Sequence, residues 1–160
     1  MNGKQRVFLG LVVATGLMSG CSDHEFAPPD RAARVERANA SYSPAAFDTI
    51  SWASDEVRLT EGNEVYASAC RRCHGVLGGG ATDYARVRGL EVPSLVEVGW
   101  PLADLDSIRR RVFSGHAAGM PVFGDGTLGL REIDASAAYV LYTLRPEVLQ
   151  VDYRELVIVR

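Results

Sequence analysis

Five consecutive residues, Cys70-Arg71-Arg72-Cys73-His74, carry the chain's most specific chemistry. Two thiols three positions apart on one helical turn can reach the two vinyl groups of a single porphyrin. An imidazole directly after the second thiol is then delivered beneath the iron, and C-x-x-C-H is the attachment signature of c-type haem. One covalently attached haem c, with His74 as a metal ligand, is therefore the expected cofactor. A closed zinc site would want four ligands, usually in two separated pairs, and no second cysteine pair exists. A thioredoxin-like dithiol would need a strand–turn–helix setting, whereas the residues before Cys70 read as helix. No Ser/His/Asp or carboxylate constellation accompanies the motif, so the expectation is an electron carrier with no catalytic residues, not an enzyme.

An iron held by one histidine needs a ligand on its other face. The methionines are Met1, Met18 and Met120, and the other histidines are His24 and His116. Met1 and Met18 fall in a segment expected to be removed. Met120 sits in Gly119-Met120-Pro121, where the glycine allows close approach to a flat ring and the proline stiffens the turn. Met120 is the expected second ligand and metal residue. His116 is the alternative, giving a bis-histidine site, and His24 is expected to be solvated.

The elements that must position these groups follow from the remaining pattern. Thr60 is read as the N-cap of a helix running to Cys70 with Glu61 and Glu64 in its first turn. Gly75 to Gly80 reads as a helix stop and loop. Tyr84 to Trp100 has no clear period. Leu105, Ile108 and Val112 predict a helix over Asp104 to Phe113, and Ser114 to Gly124 reads as a loop. Ile133, Ala137, Val140, Leu141 and Leu144 predict a last helix over Leu130 to Leu144, stopped by Pro146.

The ends read differently. Lys4 and Arg6 precede an apolar run from Val7 to Met18, too short to span a bilayer comfortably, which marks residues 1–20 as a secretory signal. Leu17-Met18-Ser19-Gly20-Cys21 resembles the bacterial lipoprotein cleavage box, which implies lipidation of Cys21. Ser22 after it resembles the pattern that sorts lipoproteins to the outer membrane. One cysteine for lipid and two for haem leave none for a disulfide. The expected location is the periplasmic side of a bacterial membrane, with the chain attached through its lipid anchor. Residues 21–54 are polar with scattered proline and read as the lipidated cysteine and a flexible tether, a coil reaching on the order of 30 Å. Asp30 to Ala40 could form a short helix but lacks an apolar stripe, and Phe47, Ile50 and Trp52 are placed to lay the end of the tether against the domain. Residues 55–147 form the domain proper and 148–160 a C-terminal extension.

The formal charge of −3 becomes −5 without residues 1–20, because Lys4 and Arg6 leave and no acid does. A mildly acidic chain with no lysine left is not expected to bind nucleic acid. A basic docking surface would have to use Arg71, Arg72 or the run Arg109-Arg110-Arg111.

Taken together, Gly62-Asn63-Glu64-Val65-Tyr66, Cys70 to Gly75, Pro93-Ser94-Leu95, Gly119-Met120-Pro121 and Ala137-Ala138-Tyr139-Val140-Leu141-Tyr142-Thr143-Leu144 make the chain similar to class I, His/Met-ligated monohaem cytochromes c of the small bacterial type, here in lipoprotein form. The resemblance covers about residues 55–146. It implies an all-α cytochrome c fold of three to four helices packed around one covalently bound haem. It further implies a crossing of first and last helices through Gly62, Tyr66 and Tyr139, and a hydrogen bond from His74 to the Pro93 carbonyl. The implied activity is transfer of single electrons between a redox donor and acceptor protein. A subunit docked to a larger respiratory or dehydrogenase complex is the alternative, as is a haem sensor or peroxidase-like site if Met120 is labile.

Overall fold

The computed structural model describes residues 30–102, 104–146 and 148–149. Its order is α1 (Arg31–Ser41), a 3-10 turn (Pro44–Phe47), α2 (Asp55–Val65), a π turn (Tyr66–Cys70), α3 (Arg71–His74), α4 (Asp83–Val87), α5 (Leu105–Ser114), α6 (Leu130–Tyr139) and a second π turn (Val140–Leu144). No strand forms among the described residues, and the all-α expectation holds. An isolated bridge pairs His116 with Met120.

Caps explain where the elements start. Ser54 accepts from the Val57 N–H and begins α2, with Asp55 and Glu56 complementing the helix dipole. The expected cap at Thr60 is corrected: Thr60 lies inside α2, whose backbone runs on through the π turn into α3, up to Gly75 at φ 80°. Thr82 caps α4, and Asp104 caps α5 by accepting from the Ser107 N–H at 2.9 Å. Glu132 accepts from the Gly129 N–H at the start of α6. Pro146 does not end the last helix, because helical backbone continues at 145–146 and 148–149.

Helices α2 and α6 cross at Gly62. A Cβ there would sit 2.7 Å from Tyr139 Cβ and closer still to the Ala135 carbonyl oxygen. Only glycine lets the backbones approach so closely, and Tyr66 meets Tyr139 with ring centroids 5.6 Å apart beside that contact. Small buried residues Ala135, Ala137 and Ala138 line α6 next to Ile133. One apolar cluster gathers Phe47, Ile108, Val112, Phe123, Ile133 and Ala137, and a second gathers Tyr66, Leu95, Val140 and Leu144. Trp100 packs against both.

Residues 30–54 are not a flexible tether, which corrects that expectation. Helix α1 packs on α5, and Phe47 is 3% exposed within the first cluster. The Trp52 indole N–H donates to Asp134 Oδ2 at 2.8 Å, so Phe47 and Trp52 do lay this segment on the domain. Asp134 is itself buried, and its carboxylate accepts from Arg58 of α2 and Arg109 of α5. Burial alone would raise its pKa, but the hydrogen bonds from Arg58, Arg109 and Trp52 outweigh it and hold the carboxyl below its usual range. Arg109 therefore turns inward and leaves the expected basic run, while Arg110 stays exposed and donates to Asn39.

Candidate haem site

Cys70 closes the π turn that follows α2, and Cys73 and His74 lie on α3. A π turn, with its wider i→i+5 bonding, is a device found often at functional sites. Burial, followed by the neighbouring Cys73, pushes the Cys70 thiol up to about 12, so its sulfur is a neutral, partly buried thiol outside any disulfide. Among the described residues no group of three or more His, Cys, Asp or Glu side chains converges in metal-holding geometry.

The stretch after His74 is fixed by backbone bonds. The Tyr66 hydroxyl donates to the Gly75 carbonyl at 2.7 Å, Gly80 N–H donates to the His74 carbonyl at 2.9 Å, and Thr82 Oγ1 reaches the Arg72 carbonyl at 3.0 Å. Gly80, at φ 84°, would place a Cβ 3.1 Å from the Pro93 oxygen and nearer still to the Val92 oxygen. Leu95 N–H donates to the Gly78 carbonyl at 2.8 Å. Together these contacts press the Pro93 segment against the loop that leaves the Cys-His motif. Arg145 also donates to the Leu95 carbonyl and lies 4.7 Å from the Trp100 ring centroid.

His74 Nδ1 is buried without a hydrogen-bond partner. Burial lowers the pKa of the imidazole, and the backbone of Pro93 acts in the opposite direction. Proline has no N–H, so the group that favours a protonated ring nitrogen there is its carbonyl. An orphaned buried nitrogen is a cost the fold carries unless something at the site uses the ring.

Met120 is half-buried and packs against the first apolar cluster, as does Ala69, the neighbour of Cys70. Cys70 packs against the second cluster, and Trp100 joins the two. The loop closes on itself where His116 N–H donates to the Met120 carbonyl at 3.0 Å. A Cβ on Gly115 would come within 2.7 Å of that same oxygen. His116 is exposed, and its Nδ1 accepts from Ala118 N–H at 3.2 Å, so its ring serves the turn. Cys21 and His24 lie outside the described residues. Sequence reasoning overlooked Thr82 and Gly80, whose roles appear only once the Pro93 segment folds back, and it read Tyr66 as a crossing aromatic without its bond to Gly75.

These residues suit haem c: two thiols on one turn, a histidine with an unused buried nitrogen beside a proline carbonyl, and a half-buried thioether in a glycine-rich loop. No solved structure matches the chain. The family described as cytochrome c oxidase, cbb3-type, subunit III matches residues 57–140, a span that takes in the Cys-His motif, the Pro93 segment, Met120 and the α2–α6 crossing. Since that match covers more than half of its residues, the chain belongs to this family and is a class I monohaem c-type cytochrome.

Proposed function

We propose that this haem-binding electron-transfer cytochrome carries single electrons between redox proteins while tethered to the periplasmic side of a bacterial membrane through a lipid on Cys21. In this reading residues 1–20 are a removed signal, and one haem is attached covalently through Cys70 and Cys73. His74 and Met120 are its axial ligands, and the Pro93 carbonyl orients His74. The observation that carries the site assignment is the buried, unpartnered His74 Nδ1 facing the Pro93 segment. A bond from that nitrogen to the carbonyl would fix the tautomer and leave Nε2 for the metal.

Haem held by Cys70, Cys73, His74 and Met120 would supply one-electron exchange between ferric and ferrous iron, and a thioether ligand would raise its potential. The protein's part is positioning. Tyr66 and Thr82 fix the end of α3, Gly80 brings in the Pro93 carbonyl, and Trp100 with Leu95 and Val96 supplies apolar wall. A docking face is supported by Arg72 and Arg88, which flank the Tyr84 ring at 4.1 and 5.3 Å beside the attachment motif, with Val76 and Leu77 exposed next to it.

No helix among the described residues is long and apolar enough to cross a membrane. With 30–54 folded onto the domain, residues 22–29 are all that would separate a lipidated Cys21 from the described fold. The domain would therefore work close to the outer membrane that Ser22 favours. The family's printed description, an oxidase subunit, favours a second reading in which the protein serves as one component of a larger complex. Stable co-purification with a membrane enzyme would select it.

The test is covalent haem after denaturing electrophoresis. Wild type should retain it, and Cys70→Ser/Cys73→Ser should be exported without it and largely unfolded. A double variant that is folded, monomeric and free of haem would overturn the site.

A further inference from the structure

Helix α1 precedes the family-matched residues, yet its contacts converge on the loop that carries Met120. Arg34 Nη2 pairs with Asp125 Oδ2 at 2.5 Å. Arg31 Nη1 lies 3.7 Å from where a Gly119 Cβ would stand, and Leu90 closes in at 2.7 Å from the same point. Behind the helix, the Tyr42 hydroxyl donates to Asp106 Oδ1 at 2.7 Å, and the Tyr42 ring stands edge-on to Phe113 at 5.5 Å. The Phe113 ring presses on Gly124, whose N–H donates to the Phe113 carbonyl at 2.9 Å. Phe47 completes the arrangement from within the same apolar cluster that Met120 packs against.

The loop is anchored at its downstream end, where Val122 and Phe123 are buried, Gly124 N–H donates to the Phe113 carbonyl and Leu128 N–H to the Phe123 carbonyl. Around Met120 itself, Gly115 and Gly119 leave the backbone permissive, and the bonds are the short-range turns that join His116, Ala118 and Met120. Such a stretch opens at lower cost than the core unless something distant in sequence ties it down. The geometry points to α1, with Tyr42 and Phe47, as the positioning element that sets how firmly Met120 holds the sixth coordination position. Loosening α1 would free the loop and the Met120 side chain with it, which would leave the iron open to an external ligand. The N-terminal segment thus tunes the protein between pure electron transfer and ligand binding. This inference rests on the assignment of Met120 as ligand.

The test uses the full holoprotein and measures carbon monoxide binding to the reduced form and imidazole binding to the oxidised form. The sulfur-to-iron charge-transfer band of the oxidised protein is followed alongside. Arg34→Asp and Asp125→Arg should each strengthen apparent ligand binding about two- to fivefold, the range open to a partly exposed ion pair, with covalent haem and helix content unchanged. The swap Arg34→Asp/Asp125→Arg should restore wild-type binding. Phe47→Leu should act in the same direction as the single charge variants. Arg86→Asp, which removes the exposed pair with Asp83 on α4, should bind like wild type. The proposal is overturned if the singles bind like wild type, if the swap fails to restore, or if Arg86→Asp has the same effect. A wild-type protein that lacks the sulfur band altogether overturns the Met120 assignment, and this proposal with it; a normal band with unaltered singles overturns this proposal alone.

Discussion

The α2–α6 crossing and the Met120 loop hold the two sides of the site by opposite means. At the crossing, backbone meets backbone over Gly62, and a buried carboxylate ties three elements together. At the loop, glycines leave the stretch around Met120 compliant, and an exposed ion pair with a helix from outside the family match adds a restraint. In the proposed site the histidine side would therefore be the permanent one, and the methionine side the one adjustable from α1.

The sharpest way to break this contrast is at Asp134. Its side chain is 1% exposed, while Arg58 and Arg109 are 15% and 17% exposed, so Asp134→Ala leaves two mostly buried guanidinium groups without their anion. The expected loss is about 3–5 kcal/mol, read as the shift in denaturant midpoint of the holoprotein. An effect below about 1 kcal/mol would mean that the network is not what joins α2, α5 and α6.

Gly62→Ala comes next. The added methyl meets the Ala135 backbone and Tyr139, neither of which is a free side-chain end, and overpacking of this kind costs about 1–3 kcal/mol. Gly79→Ala, at a position with open space around it, should leave the thermal midpoint nearly unchanged. If the two glycine variants behave alike, the crossing is not tight.

Acid supplies a third probe. Asp134 has its pKa depressed in the folded state, so it binds protons less readily there than in the unfolded chain. Its contribution to stability is complete above the ordinary carboxylate range, and is lost as pH falls through the unfolded and then the lowered folded value. Wild type should therefore lose stability over that acidic window more steeply than Asp134→Asn, as seen in denaturation midpoints measured from neutral pH downward. Parallel curves would show that the carboxylate is not depressed.

The smallest expected effect lies at the loop. Gly119 has φ 134° and Leu90 close by, so Gly119→Ala should cost about 1 kcal/mol of global stability. Its larger effect should be on the sulfur-to-iron band, which should weaken before the helices melt. A band that persists to the global transition would make the loop as rigid as the crossing.

How much of this was legible in the sequence differs by region for physical reasons. The Cys70–His74 motif, the Leu105, Ile108 and Val112 spacing of α5 and the α6 face are local patterns, and the structure places these residues on helical turns as read, with the Asp104 cap visible only once α5 is folded. The α2 start was misread because Thr60 and Ser54 are both cap-forming residues with acids nearby, and the local pattern does not choose between them. The short helix read over Asp30 to Ala40 was given little to pack on, because it has no apolar stripe. It is held by Arg34–Asp125 and Asn39–Arg110, and by Tyr42 and Phe47 beyond its end, none of which a periodicity can report. Five-residue α4 is too short to show a period at all.

The central claim, that Cys70, Cys73 and His74 hold a haem whose other face is taken by Met120, is tested most directly by the visible spectrum of the oxidised protein, recorded for wild type, Met120→Ala and His116→Ala. The account predicts the sulfur-to-iron band in wild type and in His116→Ala, and its loss in Met120→Ala together with a fall in reduction potential. A band that survives Met120→Ala, or a potential indifferent to that change, would contradict it.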